Sequence, residues 1–502
     1  MTDLLALQSA PLPRLAQPAI VVAGVAYFLG VAGIALWASR RTHTPADFFV
    51  AGKGIGIWTL ALASMSATLS GFAFIGGPGL VYSLGLGAVF FVLPASITSS
   101  TAAWVLAKRL RLLAEVRGVL TVPDAIGARY RSPAAQGLAA VAILVAIIGY
   151  MATNILALGL VVDAIFGTGL GWGIWLGAGV VLAYSASGGI LAGVYTDVFQ
   201  GTIMALASTL VFMYALGSGG GFAGVTAPIL GADPAFLSPW GKLGPLAALS
   251  FFFVFGVGAL GQPHVIHKFY MLRDPTRLKW YPLIMTGSMC LTLLLLVSVG
   301  LAMKSSVARG VIPALARPDD AMPQFLILYA PTVLAGIVFA AVAAAIMSTV
   351  NSFLNVGAAA IVHDLPKAFG RAPRRALRGA RLATLVISIL AGLVAQFSGM
   401  LVAFLGIFGW GLFASTLVPA LAIGLNWPGA TRSGAVASIA TGLVVTLLCE
   451  TLAYFKLYSF PTGVTVSGLS LVLSILVFVG VSRFTAHQAA DIDADVRLVM
   501  EV

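Results

Sequence analysis

The chain has 502 residues, of which 60% are hydrophobic and 9% charged, with a mean hydropathy of +1.03 and a formal net charge of +12. Soluble globular proteins carry about 25% charged residues, so the composition excludes a soluble class and reads as an all-α integral membrane protein. The basic excess does not point to nucleic acid, because Lys and Arg are spread over several short connections instead of gathered on one soluble face.

Runs of about 20 apolar residues are long enough to cross a bilayer as helices. In chain order they predict about thirteen spans, near 18–38, 55–84, 87–107, 134–162, 170–187, 198–217, 246–262, 281–303, 331–361, 382–399, 401–424, 434–455 and 463–482. The segments between them, the longest near 108–133, 218–245, 263–280, 304–330 and 362–381, read as polar connections. The N-terminus lacks a basic stretch followed by a small-residue cleavage site, so the first span is expected to be retained. With the N-terminus outside and the C-terminus cytoplasmic, only Arg14, Lys242, Lys304, Arg309, Arg317 and Lys456 of the 28 basic residues fall outside. That asymmetry follows the positive-inside rule and supports an odd number of spans. Cys290 and Cys449 both fall within spans, where an apolar setting leaves a thiol inert.

Two spans are interrupted by glycine-rich stretches, Ser70-Gly71-Phe72-Ala73-Phe74-Ile75-Gly76-Gly77-Pro78-Gly79 and Gly256-Val257-Gly258-Ala259-Leu260-Gly261-Gln262-Pro263. Backbone that leaves the helical ladder inside hydrocarbon is tolerated only where protein covers it or where it lines a cavity. Matched breaks in two halves of a chain point to a solute site near the bilayer midplane. They suggest two five-helix repeats, about 55–217 and 246–424, the second inverted relative to the first, with the first span and the last two outside this core.

The segment Gly188-Gly189-Ile190-Leu191-Ala192-Gly193-Val194-Tyr195-Thr196-Asp197-Val198-Phe199-Gln200 resembles a signature of the sodium:solute symporter family. Asp47-Phe48-Phe49-Val50-Ala51-Gly52-Lys53, Leu120-Thr121-Val122-Pro123-Asp124, Gly261-Gln262-Pro263-His264 and Ala343-Ala344-Ala345-Ile346-Met347-Ser348-Thr349 resemble the family too, in its order. Among members the bacterial sodium/proline symporters look most similar, also in Asp364-Leu365-Pro366-Lys367-Ala368-Phe369. The resemblance implies a LeuT-like core of five-plus-five inverted repeats, alternating access in the bacterial inner membrane and sodium as coupling ion. It also implies a sodium site from Ser66, Leu69, Ala345, Ser348 and Thr349, with Asp197 as a possible second sodium position.

The chemistry supports that assignment independently. Sodium is a hard cation that takes oxygen ligands. Ser348 and Thr349 are consecutive hydroxyls on one helix, the Ala345 carbonyl points toward them, and unwinding near residue 69 would free the carbonyls of Ser66 and Leu69. Thr68 stands where the sodium/proline symporters carry an aspartate, which removes a negative charge beside the ion. The competing structural roles are ordinary ones: a membrane Ser or Thr often bonds a carbonyl one turn earlier, and an acid at a boundary such as Asp197 often caps a helix.

Half-helix N-termini favour an anionic group, and no Lys or Arg is expected beside the breaks, which disfavours a multiply charged anion. A small carboxylate-bearing solute, an amino acid or monocarboxylate, is therefore expected, bound by Thr68, Ser70, Gly71, Tyr150, Phe255 and Ala259. Phe255 and Ala259 replace a tryptophan and a tyrosine of the sodium/proline symporters and make the pocket roomier. His264 and His267 are expected at the cytoplasmic mouth, and Glu450 at the outer surface. Partners are the solute and the lipid bilayer, with no nucleic acid and no obligate protein partner. Rival readings are a proton-coupled or ion-independent carboxylate transporter, suggested by Thr68, and a membrane solute sensor. The sensor is disfavoured because the chain stops soon after its last span. An enzyme is not expected, since no nucleophile, base and orienting group can be assembled from so few polar residues.

Overall fold

A computed structural model describes residues 18–40, 54–185, 189–371, 376–461 and 463–502. The Asp47–Lys53 stretch, Gly188, and the basic residues Arg14, Arg41, Arg374 and Arg375 lie outside the described residues. The chain folds into helices: α1 (Pro18–Ser39), α2 (Ile57–Thr68), α3 (Gly77–Leu84), α4 (Val89–Ala102), α5 (Lys108–Arg117), α6 (Val122–Tyr130), α7 (Pro133–Phe166), α8 (Leu170–Ser185), α9 (Gly189–Ser218) and α10 (Gly221–Ala232). They continue as α11 (Pro245–Gly258), α12 (Tyr281–Ala308), α13 (Ala321–Leu328), α14 (Thr332–Ala359), α15 (Ala376–Phe397), α16 (Val402–Leu417), α17 (Arg432–Tyr454), α18 (Val466–Phe484) and α19 (Ala494–Met500).

Helix occupies every expected span. Among the described residues nine helices are long and apolar enough to cross a membrane on their own, and the pair Pro245–Gly261 and Pro263–Met271, bent by 41°, makes a tenth. The remaining expected spans fall on shorter apolar helices or inside the continuous run Phe72–Arg117, which Gly85 interrupts at φ 78°. The connections are more helical than their polarity suggests. Residues 108–133 form α5 and α6, α10 fills part of 218–245, and α19 docks through buried Val496, Val499 and Met500. Arg109 donates to Met500 O and Arg117 to Asp493 and Asp495, which fastens that terminal helix to α5.

Burial sorts the helices by depth. The most apolar stretches of α7, of the helix begun by α14 and of α16 are 78%, 78% and 89% buried, whereas that of α17 is 28% buried. The first group is central and α17 peripheral. α17 and α18 meet through small residues, with Thr446 Oγ1 2.6 Å from Ser470 Oγ and Ser474 donating to Ser438 O at 3.0 Å. A Cβ on Gly434 would lie 2.1 Å from Ser482 Oγ, so the close approach requires glycine.

The two interrupted helices run antiparallel. Ile55 N–H donates to Met271 O (3.0 Å) and Arg273 N–H to Ile55 O (2.9 Å), joining the start of the first to the end of the second. At the far end Lys242 N–H, just before α11, donates to Leu84 O at 2.8 Å. Between these ends Phe72 stacks on Phe255 at 5.8 Å, so the breaks face each other.

Each break is shorter than the glycine-rich stretch that marks it. In the first, only Leu69 and Ser70 leave the helix, Leu69 being extended (φ −85°, ψ 105°), and helix resumes through a π-helical turn at Phe72–Gly76. Ser70 restarts the helix, its Oγ accepting Phe72 N–H at 3.1 Å. In the second, Gln262 is extended (φ −80°, ψ 102°) because Pro263 bars the residue before it from helical geometry. The other glycines of these stretches sit in helix and serve packing: a Cβ on Gly79 would lie 2.8 Å from Pro318 O, and one on Gly261 2.8 Å from Phe413 O.

Candidate functional site

The break after α2 lies against α14. The last ladder bond of α2 is Leu69 N–H to Met65 O, so the carbonyls that follow have no partner one turn on. Thr349 fills that gap. Its Oγ1 lies 3.0 Å from Ala67 O, 3.4 Å from Leu69 O and 3.0 Å from its own Ala345 O. A single hydroxyl proton can serve only one of these carbonyls, so four oxygens crowd together with lone pairs to spare. Ser348 and Thr349 are both fully buried, and Ser348 Oγ has no hydrogen-bond partner. Buried polar atoms are almost always paired, so carbonyls converging on one hydroxyl, with a buried hydroxyl lacking a close partner one residue before it, fit a cation in need of uncharged oxygen ligands.

Ala67 O was not anticipated among these oxygens. Ser66 is buried one residue earlier, with its hydroxyl on Met204 Sδ (3.6 Å). Thr68 turns its hydroxyl back onto Ser64 O at 2.8 Å, so its side chain behaves as a structural back-bonder.

The second feature is a polar ring on α7. Asn154 Oδ1 accepts Gly71 N–H at 2.9 Å, Asn154 Nδ2 donates to Tyr150 O at 2.9 Å, and Tyr150 Oη lies 3.4 Å from Ser70 Oγ. The amide that Gly71 would give to a continuous helix is thus taken by α7. Around Tyr150 the rings of Phe353 (4.9 Å) and His264 (6.2 Å) close in, and Phe255 stacks on Trp410 at 5.3 Å. Ala259 is buried beside them in the 3-10 turn before Gln262. Gln262 Oε1, both His264 ring nitrogens and Trp410 Nε1 are buried without partners. These rings and unspent donors and acceptors are packed together around the breaks, and they are the kinds of groups that hold a small zwitterion or carboxylate.

Asp197 and Lys268 form a separate polar pair. Lys268 Nζ is 2.5 Å from Asp197 Oδ2 and 3.4 Å from Ser352 Oγ. A buried cation therefore lies five residues beyond Pro263, contrary to the expectation of none beside the breaks. His264 is likewise buried, its ring tilted against Phe353 with centroids 4.2 Å apart, not at an open mouth.

A fourth cluster joins two stretches that the motif search selected. Asp124 accepts from His363 Nε2, Lys367 Nζ and Gln136 Nε2, each at 2.8 Å, while Thr121 donates to Asp364 Oδ1 at 2.6 Å. Burial opposes the charge on Asp124, but the hydrogen bonds and charges of His363 and Lys367 outweigh it and hold the carboxyl below its ordinary range. On the opposite end of the first broken helix, Asp319 accepts Val402 N–H at 2.8 Å, and burial pushes its carboxyl up to about 6.

Residues 48–442 match the sodium:solute symporter family profile. The chain belongs to the sodium:solute symporter family. Relatives of this symporter include the osmoregulated proline transporter OpuE of Bacillus subtilis, 29% identical over 94% of this chain and 96% of that protein. The high-affinity proline transporter PutP of Bacillus subtilis is 30% identical over 83% and 89%. The sodium/pantothenate symporter of Escherichia coli is 28% identical over 93% and 97%. In fold the symporter is similar to a Na+-coupled sialic acid symporter, with a TM-score of 0.78 at 17% identity over 94% of this chain and 98% of that one. The nucleobase-cation-symport-1 transporter Mhp1 gives a TM-score of 0.51 at 16% identity over 90% and 100%. These likenesses carry the LeuT-like fold, and the family makes sodium the coupling ion of this multi-pass membrane transporter.

Asn154, Gln262, Trp410 and Lys268 were not among the expected site residues of the symporter. Asn154 carried a usable signal, an amide inside a long apolar helix one turn from Tyr150. Lys268 carried none, because its neighbours in sequence read as a solvated connection.

Proposed function

We propose that the symporter carries a small carboxylate-bearing solute, a proline-like amino acid or a monocarboxylate, together with sodium held by Ser66, Leu69, Ala345, Ser348 and Thr349. The observation that carries this reading is the convergence of Thr349 Oγ1 with carbonyls of α2 and α14 beside the unpartnered Ser348 hydroxyl. Sodium there bridges the broken helix and α14. Closing that junction fixes Ser70 and Gly71, which also border the solute pocket with Tyr150, Phe255 and Ala259, so solute and ion raise each other's affinity. Thr68 has a packing role in this scheme. Proline and pantothenate, the solutes named for the relatives, both carry one carboxylate, which is the chemistry the unspent ring donors of His264 and Trp410 suit.

The repeats of this scheme are 55–217 and 246–424, with 18–38, 434–455 and 463–482 peripheral, the N-terminus outside and the C-terminus cytoplasmic. The antiparallel course of the two broken helices supports the inversion.

The test is uptake of labelled L-proline and, separately, pantothenate into proteoliposomes, with and without an inward sodium gradient. Gradient-dependent uptake of either is expected, and Ser348→Ala combined with Thr349→Ala should abolish the sodium dependence. A double variant that keeps full sodium-driven uptake would refute the ion site. A transporter that moves neither solute, while binding sodium, would refute the solute class.

A further inference from the structure

The Asp197–Lys268 pair has the composition of a cation site with its cation already in place. Asp197 and Lys268 side chains are 1% and 4% exposed, so water screens neither charge. Ser352 is one turn beyond Ser348 on α14, which puts both hydroxyls on the same face as they approach α9. The Ser348 hydroxyl also faces the Asp197 carboxylate. A carboxylate and two hydroxyls are the hard oxygen donors that sodium selects. What stands 2.5 Å from Asp197 Oδ2 and 3.4 Å from Ser352 Oγ is the ammonium of Lys268.

We infer that Lys268 is a tethered cation that permanently occupies the second cation position at Asp197, so that the symporter binds and moves one sodium ion per cycle. The inference rests on the reading of Ser348 and Thr349 as the site of the transported ion. A buried carboxylate must be charge-compensated, and once Lys268 does so a second mobile cation at the same oxygens would meet an equal charge at contact distance in a low dielectric. Sodium can leave such a position during the cycle. The ammonium cannot, because its backbone is anchored by the buried neighbours Phe269, Tyr270 and Met271. Lys268 therefore supplies the electrostatic work of a second ion without adding to the transported charge, and Asp197 sets stoichiometry through it.

The experiment is saturation binding of radioactive sodium to the purified full-length protein by scintillation proximity. The wild type is expected to bind one sodium per chain along a hyperbolic curve, lost in Thr349→Ala. Lys268→Ala, which bares Asp197, should bind two sodium ions with a Hill coefficient rising toward two, and Lys268→Ala with Asp197→Asn should return to one. If Lys268→Ala is too unstable to purify, Lys268→Gln, which keeps a donor to Asp197 without the charge, should give the same doubling. A wild type that binds two, or Lys268 variants that stay at one while Thr349→Ala removes that one, overturns the tethered cation and leaves the first site standing. A wild type that binds none overturns the ion site itself.

Discussion

Thr349 shows how much one hydroxyl can organise. It stands within hydrogen-bond reach of three carbonyls from two helices, so Thr349→Ala removes the proposed sodium ligand and the contact that holds the broken segment to α14. By analogy with a hydrogen bond to an ion, worth about 1.5–3 kcal/mol, losing this oxygen should weaken sodium by about tenfold to a hundredfold or more, which leaves no saturable binding over the range that fills the wild type. Asn154 acts on the other side of the break. Asn154→Leu leaves Gly71 N–H buried without an acceptor, at a cost of about 1–3 kcal/mol, and should lower uptake in proteoliposomes while the purified protein still melts cooperatively. Asp319 gives a pH dependence. Its carboxyl titrates near 3.8 when unfolded and about 6 when folded, so the folded form holds its proton through a window in which the unfolded chain has released it. Stability contributed by this group is present below about pH 4, falls as pH rises to about 6 and then levels off, by about 3 kcal/mol in all. Thermal melts of Asp319→Asn across that window should lack this fall. Asp124 has the opposite sign. Its depressed carboxyl stabilises the fold above the ordinary carboxylate range, and that contribution is lost as pH drops through the folded value.

At the scale of elements, the breaks differ in origin. Pro263 imposes the second one locally, because the residue before a proline is steered away from helical angles whatever surrounds it. The first has no such residue, and it is held open by Asn154 on Gly71 and by Thr349 on Ala67 and Leu69. Gly71→Ala tests that dependence. A Cβ there would lie 2.6 Å from Ala157 Cβ and 3.3 Å from Ile346, so the segment after the break must retreat from both α7 and α14. Sodium-dependent uptake should be lost even though alanine favours helix, and an unaffected Gly71→Ala would mean that the close approach is dispensable. The same packing explains why the glycine-rich stretches overstate the length of the breaks. Most of their glycines are read correctly as backbone features, but the feature is contact with Ala403, Pro318 or Phe413 and not unwinding.

Over the whole molecule, the distribution of charge should fix the orientation. In a protein with Cys290 and Cys449 replaced by serine, a cysteine at Lys456 should react with a membrane-impermeant thiol reagent added to intact cells. A cysteine at Arg378 should react only after permeabilisation, and the reverse pattern would invert the topology. Both positions are exposed, so accessibility of the side chain does not confound the result. The antiparallel broken helices, tied at Ile55 to Met271 and at Leu84 to Lys242, form the central pair against which α7, α14 and α16 pack. The proposed ion and solute sites both lie where that pair is interrupted.

By itself the sequence determined what a one-dimensional pattern can carry. Apolar runs mark the spans, Gln262-Pro263 marks a break, and ordered motifs mark the family, while the basic residues supply an orientation to be tested. The hydroxyls of Ser348 and Thr349 were legible because consecutive positions on one helix need no knowledge of a partner. Only the tertiary structure decided which carbonyls meet them, why Gly71 leaves its ladder, and that Lys268 lies against Asp197, 71 positions apart in the chain. A buried ion pair is a property of two surfaces brought into one low-dielectric space, and neither residue announces its counterpart from its own neighbours.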